Sequence, residues 1–175
     1  MTKVLRTLTT SAAIALGTAC VALADDGVLP KDNAEFEKWG DESGWTIYVD
    51  KSRNACLIER VDENENVVQM GLTADKEFGY VGVFTKADVE FKDNKVHLRL
   101  DDKAYVGDAT AAPSNLARDY KGGYLLANNP NFVDDLQKRY VMTVMPEDAN
   151  TFDVSLDGTL KAIDKARECN SAVAG

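Results

Sequence analysis

Cys56 and Cys169 stand at nearly opposite ends of the mature chain that a cleaved N-terminal signal would leave, and a bond between them forces any fold to bring those ends together. The third cysteine, Cys20, lies inside an N-terminal stretch that reads as a secretion signal. Lys3 and Arg6 form its charged start, and Ala12, Ala13, Ile14, Ala15, Leu16 and Val21 lie in the uncharged run that follows. Ala22-Leu23-Ala24 supplies the small-x-small pattern of a cleavage site, so the reading places cleavage after Ala24 and opens the mature chain at Asp25. A retained anchor is the alternative, but the apolar run falls short of the roughly 20 residues that span a bilayer. A lipidated Cys20 is a second alternative, against which Gly17 stands where a bulky aliphatic residue is expected. An even thiol count in an exported chain predicts a disulfide, because oxidising compartments preserve such bonds. In the loop-entropy description a closure this long is worth on the order of 4 to 5 kcal/mol.

What remains after cleavage is about 150 residues, the size of one domain with a sizeable core. The whole chain carries a formal net charge of −9, and loss of Lys3 and Arg6 makes the mature part more acidic still. Nucleic acid and anionic membrane surfaces both require a basic face, so neither is an expected partner, and no membrane insertion is expected after cleavage.

Residues 25–44 read as a polar lead-in, with Asp32 as a candidate cap for a short helix carrying Phe36 and Trp39. Regular structure is expected from Trp45, and residues 45–175 read as a single β-rich domain. Trp45 to Val49 and Ala55 to Val61 are rich in β-branched and aromatic residues around a polar turn at 50–54, which predicts a hairpin. Further strands are expected around Val67 to Thr73, Tyr80 to Thr85, Tyr105-Val106, Tyr140 to Met145 and Thr151 to Leu156. The cleanest alternation runs from Val89 and Phe91, across a turn at 92–95, to Val96, Leu98 and Leu100.

Two helices complete the pattern. Asn131 is a candidate cap for one bearing Phe132, Val133, Leu136 and Tyr140, and Ala162, Ile163, Ala166 and Cys169 mark the buried face of a last one. The expected fold is mainly β: an antiparallel sandwich or barrel-like sheet with two short α-helices, one of them C-terminal.

Chemistry-bearing motifs are scarce. His97 is the sole histidine, so a triad or a histidine-based metal site must pass through it, yet it shares a strand face with Arg99 opposite three apolar residues. Asp62-Glu63-Asn64-Glu65-Asn66 begins like a calcium loop, but Val67 stands where glycine is required and Thr73 where a bidentate glutamate is required. Asp101-Asp102 and Asp134-Asp135 are adjacent pairs that diverge on regular backbone, and they read as solvated charges. Gly79 and Gly82 lack the Lys-Ser/Thr of a phosphate loop, and Gly122-Gly123-Tyr124 reads as a turn. Trp39, Trp45, Tyr80 and Tyr124 are core candidates before they are groove candidates. No catalytic, cofactor or metal residues are assigned, and the only site residues expected are the disulfide pair Cys56 and Cys169.

Trp45-x-Ile47-Tyr48 near the mature start, Cys56 in the second strand, and the ending from Val154 to Cys169 together resemble the invasion-associated locus B family of exported bacterial proteins. Leu156, Gly158, Thr159 and Ala162 match that family's tail of final strand and helix. The resemblance implies a β-sandwich without established enzymatic chemistry, linked in some members to envelope function or host-cell entry. The expected activity is therefore that of a periplasmic or secreted binding or structural module whose partner is a protein or envelope component. A small-ligand carrier or inhibitor built as a barrel, or a secreted hydrolase, is the alternative.

Overall fold

The computed structural model describes residues 29–31, 33–72, 79–110, 112, 113, 116, 119–127 and 130–174. The signal segment, its cleavage site and Cys20 lie outside them. Ten strands form one antiparallel sheet: β1 (Phe36–Glu42), β2 (Trp45–Asp50), β3 (Ala55–Val61), β4 (Val67–Leu72), β5 (Gly79–Thr85), β6 (Lys95–Leu100), β7 (Lys103–Thr110), β8 (Lys121–Ala127), β9 (Val141–Val144) and β10 (Phe152–Ser155). Their spatial order is β1-β2-β3-β4-β5-β8-β7-β6-β9-β10, so the sheet does not close, and β1 and β10 are its edges. Helices α1 (Pro130–Lys138) and α2 (Thr159–Val173) complete the fold. The expected mainly β architecture with a C-terminal helix is what forms.

The β2–β3 hairpin is built by its own turn. Asp50 Oδ1 accepts from the N–H and hydroxyl of Ser52 at 3.0 and 2.6 Å, and Oδ2 accepts from Arg53 Nε at 2.6 Å. A carboxylate that gathers the amides two and three residues on fixes a tight turn and hence the register. That register sets Val49 opposite Cys56 and Ile47 opposite Ile58.

Alternation then sorts the sheet into two apolar faces. Cys56 and Ile58, Val68 and Met70, Val81 and Val83, Leu125 and Ala127 enter the larger cluster, together with Val96, Leu98 and Leu100 from β6 and Met142 and Val144 from β9. Phe132 and Leu136 of α1 and Ala162, Ala166 and Cys169 of α2 fill this same cluster. Leu57, Val67, Tyr80, Phe84 and Tyr124 form a second cluster on the opposite face.

Helix α2 is held by more than its small-residue stripe. Cys56 and Cys169 are bonded, with Cα atoms 6.1 Å apart across a separation of 113 residues. One residue on, Asn170 Oδ1 accepts from the Cys56 N–H at 2.8 Å, and Asn54 Nδ2 donates to Val173 O at 2.8 Å. At the other end Trp45 Nε1 donates to Asp157 O at 3.1 Å. Gly158 starts the helix at φ +78° with Ser43 O 2.5 Å from where a Cβ would stand, so both conformation and space require glycine there.

Several expectations are corrected. Residues 36–42 are strand β1 rather than a short helix, so regular structure begins before Trp45. The antiparallel ladder to β2, broken by one bulge between Lys38 and Gly40, outweighs a weak capping signal. Asp32, the expected cap, lies outside the described residues. Val89 and Phe91 are not in a strand: a 3₁₀ turn over Lys92–Asn94 precedes β6, although Val89 still reaches the core. Asn131 lies within α1 rather than capping it, because Pro130 occupies the first helical position, where its fixed φ suits the helix and its missing N–H costs nothing. Tyr140 falls beyond that helix and is 77% exposed.

Gly122-Gly123-Tyr124 is part of β8, not a turn. A Cβ on Gly122 would collide with Val83 O and the Phe84 ring, so these glycines admit close strand approach. Gly122→Ala is expected to cost about 3 kcal/mol through this overpacking. Gly40→Ala, with nothing within 4 Å of the added carbon, should stay within about 1 kcal/mol of the parent. Urea unfolding of the two variants checks the contrast, and equal midpoints would refute it.

Candidate functional site

His97 projects from the solvent face of β6 while Val96, Leu98 and Leu100 point inward. The 62–66 turn is closed by its own groups: Asp62 Oδ1 accepts from the N–H of Asn64 and of Asn66, each at 2.8 Å, and Oδ2 accepts from Asn66 Nδ2 at 2.8 Å. Among the described residues no group of three or more His, Cys, Asp or Glu side chains is placed to hold a metal. Trp45, Tyr80 and Tyr124 are buried, whereas Trp39 is 38% exposed with Lys165 Nζ 5.4 Å from its ring centre.

The acidic pairs separate as adjacency predicts, but not all are solvated. Asp101 bonds Arg139 Nη1 at 2.8 Å, and Asp134 remains exposed. Asp135 is only 7% exposed and accepts from Lys103 Nζ at 2.6 Å and Tyr105 Oη at 2.9 Å. The Lys103 bond, helped by Tyr105, outweighs burial and holds the Asp135 carboxyl below its ordinary range. A depressed folded value stabilises the fold above the unfolded aspartate value of about 3.9, and that contribution is lost as pH falls through the lower folded value. Asp135→Asn is therefore expected to be less stable than the parent at pH 7, with the gap narrowing below about pH 4. Urea midpoints at both ends of that range decide the matter; a gap independent of pH would overturn it.

Two arrangements escaped the sequence reading. The first is a buried polar network on the second face of the sheet. Arg53 Nη2 donates to Tyr80 Oη at 2.8 Å, Gln69 Nε2 donates to Glu59 at 2.7 Å, and Tyr124 Oη donates to Gln69 Oε1 at 2.7 Å. Burial pushes the Tyr80 hydroxyl up to about 12 despite Arg53, and raises that of Tyr124 well above its usual value. Both phenols thus stay protonated at neutral pH, Tyr80 accepting from Arg53 and Tyr124 donating to Gln69. Leu29, Phe36, Tyr48, Ala112, Leu116 and Tyr120 pack against this face, so among the described residues the network is covered and pins structure.

The second is a cleft of about 460 Å³ between the end of α1 and the start of α2. Lys138, Arg139 and Tyr140 form one wall, Ser43 borders it, and Asp157 to Lys161 form the other. Tyr140 and Leu160 are exposed at 77% and 50%, giving the opening an apolar rim around three cations and one carboxylate. A further cleft of about 390 Å³ lies between the β3–β4 turn and β10, where Arg60 Nη1 donates to Ser155 O and Asp157 O at 3.4 and 2.9 Å. The one available sequence signal for the first cleft was Lys161, a cation in a helical first turn that contains no acid. Its partners from 137–140 are remote in sequence.

The class so defined is an open, ten-stranded antiparallel sheet filled on one face by a C-terminal helix that a disulfide ties to the third strand. The chain is similar to the crystal structure of invasion associated protein B from Bartonella henselae, with a TM-score of 0.54 and 14% identity over 78% of this chain and 99% of that one. At that identity the likeness is one of fold. No family model and no curated protein matches the sequence. Among the described residues no helix is long and apolar enough to cross a membrane.

Proposed function

We propose that this chain is an exported, non-enzymatic binding module of the cell envelope, which meets a protein or envelope component through its surface. The observation that carries this reading is the filling of the larger face by α1 and α2, whose Phe132, Leu136, Ala162 and Ala166 occupy the space a barrel-type carrier would give its ligand. The Cys56–Cys169 bond supports export, since such bonds persist in oxidising compartments. The fold shared with the Bartonella protein supports a place beside the invasion-associated locus B proteins.

Fractionation of cells expressing the full chain, with mass spectrometry of the mature N-terminus, tests the reading. Periplasmic protein beginning at a free Asp25 is expected. Acylated Cys20 overturns the soluble form, and cytoplasmic retention overturns export. Native mass spectrometry of the protein drawn from the envelope separates the rivals: a retained apolar small molecule favours a carrier, and a bound macromolecule favours the module. Loss of an activity in His97→Ala with the fold intact would restore the hydrolase reading.

A further inference from the structure

We infer that the open edge of β10 takes up an extended, basic polypeptide segment as an added strand. The inference rests on the reading of this chain as a surface binding module and names the partner's chemistry and the place where it docks.

The backbone of β10 presents unmet hydrogen-bonding groups. Leu156 N donates to Tyr140 O at 2.8 Å, and the register continues with Ser155 opposite Val141 and Val154 opposite Met142. Bonded and non-bonded pairs alternate along an antiparallel ladder, so Phe152 and Val154 exchange bonds with β9 while Asp153 and Ser155 turn their N–H and C=O groups outward. Ser155 O shows this direction, since it accepts from Arg60 Nη1 across the edge at 3.4 Å. The N–H and C=O of Asp153 and the N–H of Ser155 stay open, on a strand with no second neighbour. Such a row is a template for another strand.

Room lies beside it. The cleft of about 390 Å³ runs along this edge, with Asp153, Val154 and Ser155 on one side and the end of β3 and the β3–β4 turn on the other. The opposite edge of the sheet is blunted. A bulge interrupts β1 between Lys38 and Gly40, and its Glu37 and Asp41 already pair with Lys51 and Lys38.

Charge selects the segment. Asp62, Glu63 and Asp153 line the cleft, and none of the three forms an ion pair among the described residues. Asp153 takes the Thr143 hydroxyl at 2.7 Å, and Arg60 is turned to the carbonyls of Ser155 and Asp157. A second copy of this chain would set the same carboxylates and a net charge of −9 against themselves, whereas lysine or arginine side chains complement them. Alternation then fixes the pattern of the partner. Asp153 and Ser155 are exposed on the outer face, while Phe152 and Val154 lean into the core. The incoming residue opposite Asp153 therefore carries the positive charge, and its two neighbours are apolar and lie beside Phe152 and Val154.

The test is amide NMR of the oxidised protein titrated with the blocked pentapeptide Val-Lys-Val-Lys-Val and, separately, with Val-Glu-Val-Glu-Val. Saturable shifts centred on 60–64 and 152–156, with slowed exchange of the Asp153 and Ser155 amides, are expected from the basic peptide alone. Asp153→Lys should weaken binding about fivefold by setting like charges opposite each other. Ser155→Pro removes an N–H that β9 does not use and should weaken binding about tenfold. Asp153 is exposed, so its variant keeps the fold if the proline variant does not. A basic peptide methylated on the backbone nitrogens that face β10 should not bind, which separates strand addition from charge attraction. Equal binding of the acidic peptide, absence of saturation, shifts at β1 instead, or binding that methylation leaves intact would overturn the site. Slowed exchange at β10 that grows with protein concentration and needs no peptide would place a second copy there and overturn the basic partner. Export and envelope location are read by other measurements and survive that failure.

Discussion

Replacing Cys56 and Cys169 together with alanine is expected to lower the unfolding free energy by about 4 kcal/mol, a large share of the 5 to 15 kcal/mol typical of a domain. The bond closes 113 residues and joins strand β3 to the last helix. Without it the denatured chain regains the freedom of that loop. In the native state α2 keeps its Asn170 and Asn54 contacts and the packing of Ala162 and Ala166. The helix should then open ahead of the sheet. Hydrogen exchange is expected to show loss of protection first in residues 159–173, and urea unfolding to give the free-energy difference. A loss below about 1 kcal/mol, or uniform loss of protection, would show that packing alone holds the helix.

Arg53→Met is expected to cost about 3 kcal/mol, because it leaves a buried carboxylate without its counter-charge. Asp50 is 0% exposed and the Arg53 side chain 5%. Removal of the guanidinium also takes away the donor to Tyr80 Oη and to Leu72 O. The Ser52 contacts partly satisfy Asp50 and keep the loss below that of an isolated buried charge. Changing both partners, as Asp50→Asn with Arg53→Met, should recover part of the loss. Two single changes that simply add in the double variant would sink the coupling.

Much of the fold was legible because period-two patterning and turn chemistry are local. The 45–61 hairpin, the inward set on β6 and the Ala162-Ala166-Cys169 stripe all follow from neighbours in sequence. Residues 36–42 were not legible as a strand, since FEKWGDE has little alternation and gains its conformation from pairing with β2. Gly122-Gly123 looked like a turn because glycine marks both turns and close backbone approach, and only the neighbouring strand distinguishes them. Asp135 of α1 reads as solvated in the sequence because its partners Lys103 and Tyr105 arrive from strand β7, remote in the chain.

The sequence alone determined what depends on near neighbours, namely mainly β architecture, a C-terminal amphipathic helix and the surface position of His97, and its even count of thiols beyond the signal segment pointed to the pairing of Cys56 with Cys169. The tertiary structure decided what depends on distant segments meeting. It placed α2 against β3 so that the cysteines bond, left the sheet open at β1 and β10, and buried Asp50 with Arg53 and Tyr80. It also set residues 138–140 across from the start of α2, where the two segments border one cleft. Side-chain periodicity reports which face of an element is buried, but not which other element covers it, and sites arise from that second choice.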